Sequence, residues 1–190
     1  MGKSEAQNVG TGRELLGWLI LVLGVGALQL PALGRMEMHG IDLLEFELMY
    51  TSAEAMRQVA ALGLDGIAAV RQQLSIDFVY LVLYGTTLWK ACRLLGTRAA
   101  RLGPAVVARL APAMAWVGVV AAVCDALENV GLWLVSAGHT NQPWPGLASG
   151  YATAKFALAA ATLLYLLVGL LATFAGRWQG PAAVEQTQTG

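Results

Sequence analysis

Four ionisable side chains stand inside otherwise apolar stretches of this chain: Asp77, Asp125, Glu128 and Lys155. In hydrocarbon a charge at a helix centre costs about 2.5–3.5 kcal/mol on insertion scales, and less near a helix end, where Asp77 and Lys155 fall. Such groups are expected to turn toward one another or toward water. Asp125, Glu128, Asn129 and Leu132 are spaced i, i+3, i+4, i+7, so their three polar groups share one helical face. Asp77, Tyr80 and Tyr84 repeat that spacing. Three carboxylates facing one ammonium leave an excess of negative charge, so either a carboxyl is protonated or a cation balances the site. Coupled carboxyls of this kind titrate as a group. Proton transfer by such a carboxyl is the simplest chemistry the set could perform. Binding of a polar or cationic group, or a clasp that only sets helix register, are the alternatives.

These residues need membrane-spanning helices to position them. Of 190 residues 57% are hydrophobic and 13% charged, with mean hydropathy +0.59, whereas soluble domains carry about 25% charged residues. The apolar residues gather in four runs, about 15–33, 76–95, 112–135 and 151–174. Each matches the roughly 20 residues that cross a bilayer as a helix, and backbone polar groups in lipid must be satisfied within the segment. The expected fold class is therefore all-α: an integral membrane four-helix bundle. Lys3 and Arg13 ahead of the first run resemble the start of a signal peptide, with Val25-Gly26-Ala27 as a cleavage site. The run continues to Leu33, which favours a retained helix.

Orientation follows from the flanking cations. Lys90 and Arg93 in the last turns of the second run and Arg98, Arg101 and Arg109 between it and the third have no acid among them; Lys3, Arg13 and Arg177 flank the outermost runs. The other side carries Arg35, Arg57 and Arg71 against Glu37, Asp42, Glu45, Glu47, Glu54 and Asp65. Both termini are thus expected in the cytoplasm, with 34–75 and 136–150 outside. In that topology Asp77, Asp125, Glu128 and Lys155 all fall near or within the outer half of the bilayer, and Gln29 reaches the same level. Within 34–75, Thr51 and Glu54 form a capping box, and an amphipathic helix is expected over about 53–74. Its apolar stripe would be Met56, Val59, Ala60, Ile67, Val70 and Leu74, with Arg57, Gln58, Asp65, Gln72 and Gln73 opposite, weakened at Gly63 and Gly66. It would lie on the membrane or cap the bundle. Leu44-Glu45-Phe46-Glu47-Leu48 alternates like a short extended segment, and Trp144 suits an interfacial anchor.

No phosphate loop, dinucleotide fingerprint, H-E-x-x-H or G-x-S-x-G occurs. His39 and His139 have no paired His at ligand spacing, Cys92 and Cys124 read as small apolar side chains, and no cofactor or metal is expected. The formal net charge is zero, and nothing points to nucleic acid. Ser75-Ile76-Asp77-Phe78-Val79-Tyr80-Leu81-Val82-Leu83-Tyr84 and Asp125-Ala126-Leu127-Glu128-Asn129 resemble segments of small four-helix bacterial membrane proteins with no assigned activity. That resemblance covers about residues 15–175. The layout is more loosely similar to the sterol-isomerase and sigma-2-receptor-like group, which holds lipid-like ligands among membrane acids. Here the first run has Gln29 where an acid would be expected.

The expected organisation is a cytoplasmic tail over 1–14, one membrane domain over 15–175, and a cytoplasmic tail without fixed structure over 176–190. The expected setting is a cell membrane, with a bacterial inner membrane favoured. The expected function is binding of a small molecule or lipid in an outward-facing polar pocket of Asp77, Tyr80, Tyr84, Asp125, Glu128, Asn129 and Lys155. A small cation or proton carrier and a purely structural clasp are the alternatives; catalysis and oligomeric state are left open.

Overall fold

The computed structural model describes residues 3–102 and 104–178, with side chains described over 12–101 and 104–175. Five helices carry the chain: α1 (Lys3–Met38), α2 (Leu43–Glu47), α3 (Ser52–Leu102), α4 (Ala105–Ser136) and α5 (Trp144–Trp178), with no strand among the described residues. Four segments are long and apolar enough to cross a membrane: Gly12–Met38, Ser52–Arg101, Ala105–Ser136 and Trp144–Ala175. The helices outrun the apolar runs because the flanks are good helix formers such as Arg98-Ala99-Ala100-Arg101. Arg98 and Arg101 therefore ride on α3, which runs to Leu102, and Arg109 on α4, which starts at Ala105. The connection before α5 is likewise 137–143 rather than 136–150. Helix α5 runs to Trp178, and 179–190 lie outside the described residues.

Two expectations about 34–75 are corrected. The segment 53–74 is not set apart from the second apolar run: it is helical and kinked at Gly63, one of the two expected weak points, and the piece beyond the kink continues into that run. The capping box starts the segment: Glu54 N–H donates to Thr51 Oγ1 (3.2 Å), and Thr51 N–H donates to Glu54 Oε2 (3.0 Å). Only Gly63 interrupts it, at φ 57° and ψ −166°, a backbone region open essentially to glycine. The expected apolar stripe holds for four of its six residues: Val70 and Leu74 are buried, and Val59 and Ile67 pack against the core. Met56 and Ala60 face out, while Ala55, Gln58, Leu62, Ala69, Val70, Gln73 and Leu74 are buried. Leu44–Leu48 is not extended either. Asp42 caps a helical turn over Leu43–Glu47 by accepting from the amides of Leu44 (2.8 Å) and Glu45 (3.3 Å). Capping outweighs alternation over so few residues.

These pieces build an ordinary apolar core at one end of the molecule, the α2 end. Met36, Ile41, Phe46, Met49, Leu62, Val70, Leu74, Leu132 and Val135 pack together there. Full burial stabilises side chains such as Phe46 or Leu62 by about 1.5–3 kcal/mol each. Polar ties close the same end: Gln58 Nε2 donates to Glu45 O (3.0 Å), and Gln142 Nε2 to Tyr50 O (2.8 Å). Arg71 Nη2 donates to Ser136 O (3.2 Å), and Tyr50 and Thr153 share a hydrogen bond.

Beyond this cap the pattern inverts. Leu16, Ile20 and Leu23 of α1, Val123 and Val130 of α4, and Leu164, Leu167 and Leu171 of α5 are exposed. The inward row of α4 is small or polar: Ala111, Ala115, Gly118, Ala121, Asp125, Glu128 and Asn129. Small residues let backbones approach: a Cβ added at Gly131 would sit 2.9 Å from Ala148 Cβ, and one at Gly96 would collide with Ala111 Cβ. Helix α3 packs along α1 on one side and α4 on the other, and α5 follows α4. Among the described residues no extended α1–α5 interface closes the ring, which leaves a lateral gap.

Gly63→Ala is expected to lower stability by about 1–3 kcal/mol, read as a lower thermal midpoint of the purified protein. Gly24→Ala, where an added Cβ meets nothing within 4 Å, is expected to cause no loss.

Candidate functional site

Helix α5 brings Lys155 one helical step past Ala152, which is fully buried, into the junction of cap and bundle. Its ammonium lies 2.9 Å from Asp125 Oδ1, 2.8 Å from Glu128 Oε2 and 3.3 Å from Glu47 Oε1. Only the Asp125 contact has hydrogen-bond direction. The Glu128 contact is close but off-axis, so neither Glu128 oxygen accepts a hydrogen bond although the side chain is fully buried. Glu47 reaches the same ammonium from α2 and sits outside the long apolar helices. Burial pushes its carboxyl above the ordinary range, against the opposing pull of Lys155.

Asp77 belongs to a second, adjoining set. Gln29 Nε2 of α1 donates to its Oδ1 (2.9 Å), and Asn129 Nδ2 of α4 donates to its Oδ2 (2.7 Å). Among the described residues no protein cation forms an ion pair with it. Tyr84 of α3 adds to the Lys155 set by donating its hydroxyl to Asp125 Oδ2 (2.9 Å). The Tyr80 ring leans on Tyr84, with centroids 5.5 Å apart, and its hydroxyl bonds no described residue. The helical spacings of α3 and α4, with Lys155 from α5, thus bring all seven sequence-derived candidates to one region. They divide into a charged half around Lys155 and an amide-held half around Asp77.

A cavity of about 480 Å³ opens beside them, lined by residues of all five helices, within the ordinary range for small-molecule pockets. Glu47, Gln73, Asp77, Tyr84, Asp125 and Lys155 form its polar end, and Leu19, Val22, Leu88, Phe156 and Leu163 form its apolar length. Leu19, Phe156 and Leu163 are 43%, 43% and 57% exposed, so the cavity opens sideways through the gap between α1 and α5. From 53–74 Gln73 lines the polar end, and α2, through Leu43 and Glu47, closes it.

Sequence reasoning missed Glu47 and Gln73. Glu47 was grouped with the loop acids, and its signal was the Asp42-x-x-Glu45 cap, which makes 43–47 helical and sets Glu47 apart from Glu45. Gln73 was assigned to the polar face, yet it lies beside Leu74 and one turn from Val70, and it is buried with them. Among the described residues no three His, Cys, Asp or Glu side chains are placed to hold a metal ion. The centre of the carboxylates is filled by the Lys155 ammonium instead.

Lys155→Met is expected to destabilise the protein by about 3–5 kcal/mol, because it strands buried carboxylates without a counter-charge. Lys90→Met, which removes a more exposed pair with Glu14 (3.2 Å), is expected to cost under about 1 kcal/mol. Thermal denaturation of the two variants side by side measures the difference.

In comparisons with protein-family models, curated proteins and solved structures, nothing matches this chain.

Proposed function

We propose that this chain is a multi-pass protein of the cell membrane, in a bacterium the inner membrane, that binds an amphipathic small molecule or lipid. The observation that carries the reading is the cavity between α1, α3 and α5, polar at one end, apolar along its length and open toward the face that would meet lipid. Inverted polarity supports insertion: large apolar side chains face outward and polar ones inward, as a bilayer requires. Charge supports N-in, C-in orientation with the α2 end outside. Lys90, Arg93, Arg98, Arg101 and Arg109 crowd the far end, while acids outnumber cations over 34–75. Asp77, Asp125, Glu47 and Lys155 would hold the ligand's head, and Tyr80 and Tyr84 would flank it.

The clasp reading has one specific support, since Lys155 is already shared by three carboxylates. It leaves the cavity unexplained. A carrier has less support: beyond Thr87 the cavity lining is Leu88, Ala159 and Leu163, which offers an ion no further polar step.

Two outcomes are expected. Reporter fusions after Gly103 should behave as cytoplasmic and those after His139 as external; the reverse pattern would sink the orientation. Protein purified from its membranes should carry an elongated apolar ligand detectable by native mass spectrometry. Ala159→Trp, which fills the cavity, should lose that ligand while still inserting and folding. Ligand-free wild-type protein that also fails to take up any added amphiphile would leave the clasp in its place.

A further inference from the structure

Two polar groups at the closed end of the cavity have needs that the protein does not meet. Gln73 is 3% exposed and lines the cavity, and its Oε1 has no hydrogen-bond partner. A buried acceptor left unpaired is unfavourable, so this atom calls for a donor. Asp77 follows four residues later on the same face of α3. Its two oxygens accept amide hydrogens from Gln29 and Asn129, yet no described protein cation pairs with it. The one ammonium nearby, Lys155, is committed to Glu47, Asp125 and Glu128. Four carboxylates therefore adjoin one cation at this end of the molecule, and the unpaired acceptor lies on the side that Lys155 does not serve.

Head groups can be sorted by what they would bring. A hydroxyl supplies a donor without charge, and a quaternary ammonium supplies charge without a donor. A carboxylate or phosphate adds negative charge where it is already in excess. A protonated amine supplies both, and a primary or secondary one carries the two N–H groups needed to serve Gln73 and Asp77 at once; charge-assisted hydrogen bonds are the stronger kind. The rest of the cavity limits the body of the ligand. From Asp77 to Leu88 the lining follows α3 for roughly 16 Å at the helical rise, between Leu19 and Val22 on one side and Phe156 and Leu163 on the other. That is a long, narrow, apolar course.

Resting on the ligand-binding reading above, we propose that the occupant is a single-chain amphiphile headed by a protonated primary or secondary amine. Its nitrogen sits between Gln73 and Asp77, and its chain lies in the groove between α1 and α5. Gln73 and Asp77 are binding residues; Gln29 and Asn129 position the Asp77 carboxylate.

The test uses the full chain in phosphatidylcholine nanodiscs and dodecylamine carrying a photoreactive diazirine at its tail. Saturable labelling should map to the Leu19–Val22 and Ala159–Leu163 segments. Unlabelled dodecylamine should compete about tenfold better than dodecanol or dodecyltrimethylammonium. Gln73→Leu should weaken the amine by about tenfold while thermal stability holds or rises, because an apolar side chain replaces an unpaired acceptor. Asp77→Asn should weaken it comparably with its shape kept. Equal competition by dodecanol would overturn the amine assignment and leave the ligand-binding reading standing. Unchanged affinity in Gln73→Leu would overturn the placement of the nitrogen. Absence of saturable labelling by amine and alcohol probes alike would overturn both this inference and the reading it rests on.

Discussion

Helices whose outer faces are as apolar as their surroundings gain little by burying apolar surface against one another. What holds them in register must then be close backbone approach and polar contacts. In this chain the polar part centres on the Lys155 ammonium, which gathers Glu47 from α2 and Asp125 and Glu128 from α4 onto α5. Tyr84 extends the network to α3 through Asp125, and Asp77 brings in α1 through Gln29. Between them, the Lys155 network and the adjoining Asp77 set reach every helix described. A buried pair left with one partner costs far more than the pair contributes, so the helices can shift little relative to one another without stranding a charge.

The network lies where two kinds of packing meet. On the α2 side, Phe46, Met49, Leu62 and Leu74 form a core of the kind found in water-soluble domains. On the other side, small residues such as Gly96, Gly131 and Ala148 let helices touch while large side chains point away. Polar groups at such a junction can be satisfied from both directions. A gap beside them, between α1 and α5, need not be filled by the protein. The cavity follows from a ring of helices that stays open on one side, and its polar end follows from the junction. The proposed ligand site is thus a product of the architecture rather than of any single motif.

Much of this was legible in the amino-acid sequence because it depends on local rules. Apolar length, sorted flanking charge, the Thr51–Glu54 capping box and the i, i+3, i+4 spacing of Asp125, Glu128 and Asn129 are all properties of neighbouring residues. A lone ammonium among apolar helices has to find carboxylates, so its pairing could be expected from cost alone. Which carboxylates it finds could not. The continuation of 64–74 into the following run and the helical turn over 43–47 depend on how a backbone break and a cap compete with periodicity. Glu47 entered the charged cluster, and Gln73 entered the cavity, only because α2 folds back over α5 and α3 turns its Gln73 face inward. The sequence by itself determined the helices, their apolar faces and the need to compensate buried charge, since each is a sum over local contributions. Tertiary structure alone decided the partners of each charge and the existence of a cavity, since both depend on distances between segments far apart in the chain.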